Sequence, residues 1–159
     1  MICMKGKKVS NKETPLCYNV FVQIPTCTKI AYSKEVIEVM CKAAEVGKIV
    51  VNKCLDRGIS IDTQKLQKLL VLMQVECIRR SAKPLFKEDI RIWDCGVAIK
   101  EVNDEFVTYG RGFKEKIEEF ITLLELEEQS VDYILDLYGK LHALELNQLP
   151  DNKRVIELG

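Results

Sequence analysis

The sequence predicts a mainly α, α+β fold: a compact bundle of about five helices with a small antiparallel β element over residues 86–99. Three observations carry that prediction. From residue 34 onward, apolar residues recur at spacings of three and four. Between residues 86 and 99 the period changes to two. Breakers are few, 4 prolines and 8 glycines, so the periodic stretches run long. A strand over 17–24 is placed to join the β element.

Residues 1–15 carry Lys5, Lys7, Lys8 and Lys12 against Glu13 and end at Pro15, which reads as a solvated basic terminus, the commoner case, or as a basic arm that contacts an anionic partner. Tyr18, Val20, Phe21, Val22 and Ile24 favour an extended strand that Pro25 stops, with Lys29–Tyr32 returning as a second short strand. Ser33 is an N-cap for a first helix over 34–57, whose stripe is Val36, Met40, Ala43, Gly47, Val50 and Cys54. The small residues Ala43, Ala44 and Gly47 invite close approach by another helix. Arg57 and Gly58 suit its last turn and the left-handed residue beyond.

Asp62 or Thr63 caps a second helix over 63–81, with Leu66, Leu69, Leu70, Met73 and Cys77 facing inward. Gln67 and Gln74, seven apart, lie beside that face and suit either solvent or a partner's backbone. Lys83-Pro84 ends the helix, because proline disfavours helical geometry in the residue before it. In the β element Ile90 and Ile92 point one way, Arg91 and Trp93 the other, and Gly96 allows a turn. A helix over 99–109 follows, with Val102, Phe106 and Tyr109 on one face and Gly110 as its stop. Phe113, Ile117, Phe120, Ile121 and Leu124 predict a fourth helix with a glutamate-rich outer side. Ser130 caps a fifth, in which Val131, Ile134, Leu135, Tyr138 and Leu141 face inward. Pro150 closes the ordered domain, and 151–159 reads as a C-terminal tail.

The bulk numbers exclude several classes. Net charge is zero, from 24 basic and 24 acidic residues, which argues against a protein built to grip a phosphate backbone, so nucleic acid is not an expected partner. Seven cysteines, an odd count without a C-x-x-C pair or a secretory leader, predict free thiols in the cytoplasm. No apolar run is long enough for a membrane span.

Catalytic patterns are missing. His142 is the sole histidine and falls on the wheel beside Leu135 and Tyr138, as a packed or boundary residue does. No Cys/His cluster has zinc spacing, and Gly110 and Gly112 are too sparse to cradle a phosphate. Asp132 and Asp136 form an i,i+4 carboxylate pair of the kind usual on exposed surfaces. No cofactor, metal or catalytic residue is expected. A cysteine/histidine hydrolase built on His142 is a weaker alternative.

From about Met40 to Pro150, ordered short motifs accumulate: Asp56-Arg57-Gly58-Ile59-Ser60, Lys65-Leu66-Gln67-Lys68-Leu69-Leu70 with Gln74, Lys83-Pro84-Leu85-Phe86, Ile92-Trp93 with Gly96, Glu101-Val102, and Leu141-His142 followed by Glu145. In order and spacing this run resembles the Panacea antitoxin domain, the SocA-like, phage-associated protein family. The chain departs from the family pattern where it reads Cys95-Gly96-Val97-Ala98-Ile99-Lys100, and where Val71, Leu72 and Met73 replace aromatic residues. It therefore reads as a divergent member. The resemblance implies a helical domain over 34–150 preceded by a variable N-terminal segment, 1–33, that sets specificity. It implies a non-enzymatic role: direct binding that neutralises a toxin or presents it to a protease as an adaptor. The partner-binding surface expected from it combines the helix 63–81 with the 86–99 segment, anchored by Lys65, Gln67, Lys68, Gln74, Trp93 and Asp94. A phage-encoded inhibitor of a bacterial defence effector, anti-CRISPR-like, is the alternative on the same scaffold.

Overall fold

A computed structural model describes residues 40–110 and 112–158. The expected strands over 17–24 and 29–32, the Ser33 cap and the segment 1–33 lie outside the described residues. Six α-helices and a two-stranded antiparallel sheet make up the described fold, which is mainly α with a small β element.

Helix α1 spans Ala43–Asp56. Residues 40–42 before it are not helical, so the helix does not run unbroken over 34–57. Cys41 instead forms an isolated parallel bridge with Phe86. The α1 start lacks a cap from its own chain neighbour; the Glu88 carboxylate accepts the Ala43 amide at 2.8 Å. At Gly47 a Cβ would stand 2.9 Å from the Phe106 ring, so the small residue is what lets that aromatic seat against α1.

Helix α2, Thr63–Ser81, starts where the Asp62 carboxylate accepts the Lys65 amide at 2.7 Å. It stops at Ala82, left-handed at φ 54°, ahead of Lys83-Pro84. Every residue from Lys65 to Val75 is buried. Leu-Leu-Val-Leu-Met fills the wheel on all sides, the pattern of a helix enclosed by the fold rather than laid on its surface. Neighbours cover α2 from several directions.

Strands β1 (Ile90–Trp93) and β2 (Gly96–Ile99) pair from Ile90↔Ile99 to Trp93↔Gly96 across an Asp94-Cys95 turn. Gly96, at φ 104°, closes the turn, and a Cβ there would stand 2.6 Å from Asn147 Oδ1. The helix expected over 99–109 is α3, Lys100–Phe106, tightening into a 3₁₀ turn over Val107–Tyr109. Val102 and Phe106 are buried as expected. Tyr109 is largely exposed, although it stacks on Phe106 and Phe113.

The fourth helix expected from Phe113 does not form: residues 113–124 are irregular. Asn52 of α1 binds both polar groups of Ile117, its Oδ1 accepting the amide at 2.8 Å and its Nδ2 donating to the carbonyl at 2.7 Å. The Phe113 amide donates to the Ile61 carbonyl at 3.2 Å. These tertiary bonds claim the backbone groups a helix would use, and they outweigh the local apolar periodicity.

Helix α4 is Glu125–Tyr138, so it begins five residues before the Ser130 expected to cap it. The Glu127 carboxylate accepts the Leu124 amide at 2.8 Å, and Ser130 sits buried inside the helix, donating to the Leu126 carbonyl at 2.7 Å. Val131, Ile134 and Leu135 pack inward onto α2. Asp132 and Asp136 tie α4 to α1: Arg57 reaches both at 2.6 Å, and Lys53 reaches Asp132 at 3.0 Å and Glu128 at 2.9 Å.

A short α5 (Ala143–Asn147) follows, and Pro150 opens rather than closes ordered structure. It occupies the first position of α6, Pro150–Leu158, where its missing N–H costs nothing. The tail expected over 151–159 is thus helical through Leu158. Asn152 is fully buried there and donates to the Leu146 carbonyl at 2.9 Å.

Candidate partner-binding surface

The six residues expected to form one binding surface separate into two groups. Lys65, Gln67, Lys68 and Gln74 are all buried in the folded chain. A docking anchor must be accessible, and these four are not, because α2 is enclosed rather than half-exposed.

Gln67 and Gln74 do bind backbone, but it is the chain's own. Gln67 accepts the Ile99 amide at 2.7 Å and donates to its carbonyl at 3.2 Å. Gln74 accepts the amides of Leu85 (2.7 Å) and Phe86 (3.1 Å) and donates to the Phe86 carbonyl at 3.0 Å. Each carboxamide supplies an extended segment with the donor and acceptor that a neighbouring strand would offer. Asn52 does the same for Ile117, which the sequence reading missed. An asparagine among apolar positions of a helix was the available signal.

Lys65 Nζ donates to the Ser60 carbonyl at 2.8 Å. Desolvation holds its ammonium below the ordinary lysine range, against the opposing charges of Cys54 and Asp62. Lys68, 1% exposed, has an Nζ with no hydrogen-bond partner among the described residues. Burial lowers its pKa too, with Cys95 and Asp62 pulling the other way. Both lysines act inside the fold.

Trp93 and Asp94 stand elsewhere, at the tip of the β hairpin. Asp94 is exposed and Trp93 half-buried. With Cys95, Leu144, Asn147 and Lys153 they line a cleft of about 410 Å³ between the hairpin turn, α5 and α6. Leu144 projects into solvent at 79% exposure. Asn147 Nδ2 donates to the Cys95 carbonyl at 3.4 Å, joining the turn to α5. An aromatic ring, an exposed leucine, a carboxylate and an ammonium around one shallow depression suit a protein surface better than a small molecule. Sequence reasoning missed the α5 and α6 contribution, since Leu144 and Lys153 approach the hairpin only through tertiary packing.

His142 is exposed, not packed: it precedes α5, and the Glu145 carboxylate accepts its amide at 2.7 Å. The ordering pattern Leu141-His142 with Glu145 is therefore a helix-start device. Among the described cysteines all thiols are free; Cys54 and Cys77 are buried, Cys41 is half-buried and Cys95 exposed. Burial pushes the Cys54 thiol up to about 11, away from nucleophilic use, against the charges of Lys65 and Arg57. The described residues contain no His, Cys, Asp and Glu grouping able to hold a metal, and no helix long and apolar enough to cross a membrane. Comparison with protein-family models, with curated proteins and with solved structures finds no match to this chain.

Proposed function

We propose that this chain is a non-enzymatic protein-binding module, antitoxin-like, that neutralises a partner toxin by direct contact through the hairpin tip. The observation that carries the reading is the cleft where Trp93 and Asp94 meet Leu144 and Lys153. Large aromatic and apolar side chains at such positions dominate binding energy when a partner excludes water around them. The Gln67 bonds to Ile99 fix the far end of the hairpin to α2, so the tip is presented on a rigid support and little ordering entropy opposes docking. The toxin as partner class, residing in the cytoplasm, is taken from the resemblance of the ordered motifs to the Panacea antitoxin pattern.

Co-expression with the product of each adjacent gene tests the reading. Rescue of growth from one toxic neighbour, lost on Trp93→Ala with Leu144→Ser, is the expected result. No toxic neighbour, or rescue indifferent to both substitutions, refutes it. Capture of a defence effector in place of a toxin moves the reading to the phage-borne inhibitor.

A further inference from the structure

A second exposed surface lies on α4, a helix that contributes no residue to the hairpin cleft. Leu126, Tyr133 and Leu137 follow one another at seven and four residues, which at about 100° per residue places them on one narrow stripe, about 16 Å long. They are 47%, 43% and 51% exposed, while Val131 and Leu135 on the far side of the helix, and Ile134 between the two faces, are buried. The stripe has no covering element among the described residues. Arg80 of α2 lies 4.6 Å from the Tyr133 ring centroid and steadies it from one side, its charge answered by Glu76 at 2.6 Å.

The other border is acidic. Glu125, Glu128, Asp132 and Asp136 follow the same helix, and among the described residues Lys53 and Arg57 oppose them. Even paired, the Asp136 side chain remains 73% exposed and that of Glu128 53%. We propose that this face of α4 docks a basic amphipathic helix of a partner protein. Leucine-type residues of that helix would cover Leu126, Tyr133 and Leu137, and its lysines or arginines would meet the acidic border. The stripe length matches about three helical turns, the span over which helix-in-groove recognition sets its anchors. The excess of carboxylate along the border selects a basic partner over an acidic one. This surface shares with the proposed function only the premise that the chain binds proteins.

The test titrates the full chain with a fluorescently labelled amphipathic peptide of leucine and lysine, about five turns long, and with its leucine–glutamate counterpart. The lysine peptide binds, weakens with added salt, and loses at least tenfold in affinity to the charge-neutral double variant Leu126→Ser, Leu137→Ser. Trp93→Ala leaves its binding unchanged, so this surface and the hairpin cleft fail or stand separately. Equal binding of the glutamate peptide, or of the double variant, overturns the proposal. So does sedimentation as a dimer that the double variant dissociates, because a second copy then covers the stripe.

Discussion

Gln67 of α2 holds Ile99 of β2 by both backbone groups, amide to Oε1 at 2.7 Å and Nε2 to carbonyl at 3.2 Å. Replacing it by leucine orphans a donor and an acceptor in a site where water does not reach. Each unsatisfied group costs about 1–3 kcal/mol, so with two of them Gln67→Leu is expected to lose about 2–6 kcal/mol in urea unfolding. Exchange of the Ile99 amide with solvent deuterium should accelerate more than that of the α2 amides.

Asn52 plays the same part for Ile117, but its segment is peripheral. Asn52→Ala should free residues 113–124 locally, without collapse of the α2 core. Trypsin cleavage after Lys114 and Lys116 is the readout, and it should rise several-fold while the global unfolding midpoint falls only modestly.

Lys68 carries a stability penalty with a defined pH dependence. Desolvation lowers its folded pKa below the ordinary lysine value of 10.5, so the unfolded chain binds the extra proton. Stability therefore rises with pH between the folded value and 10.5, and the penalty is complete below that window. Lys68→Met removes it and should gain about 1–3 kcal/mol at neutral pH. The gain should shrink as pH approaches 10.5.

Ala82 ends α2 in the left-handed region at φ 54°. Glycine accepts that geometry without the Cβ clash, so Ala82→Gly should stabilise the chain by about 1 kcal/mol in thermal or urea unfolding.

The parts of the fold legible in sequence were those set by local chemistry. Asp62, the Lys83-Pro84 break and Gly96 mark element boundaries within a few residues, and the period-two run Ile90–Trp93 is a strand. The segment 113–124 was illegible because its conformation is decided by Asn52, more than sixty residues away. The buried lysines and glutamines of α2 were misjudged for one reason. Leu66, Leu69, Leu70, Met73 and Cys77 suggest a single inward face, and that face leaves Lys65, Gln67, Lys68 and Gln74 outside. Val71, Leu72 and Val75 complete the apolar circumference, so the polar residues are enclosed with them. Trp93 and Asp94 reached the surface because a two-residue turn projects its flanks away from the supporting helix. Their cleft partners come from α5 and α6, which nothing near residue 93 announces.

The most direct measurement is the affinity of the purified full chain for the toxin proposed as its partner, once co-expression has identified one, taken in parallel with Trp93→Ala, Leu144→Ser and Gln67→Leu. Loss of at least tenfold in affinity for the first two, with unfolding midpoints close to the parent, is the predicted result. Gln67→Leu should lose stability first and affinity only in proportion to the unfolded fraction. Parent-like affinity in both hairpin-cleft variants would contradict the assignment of this surface.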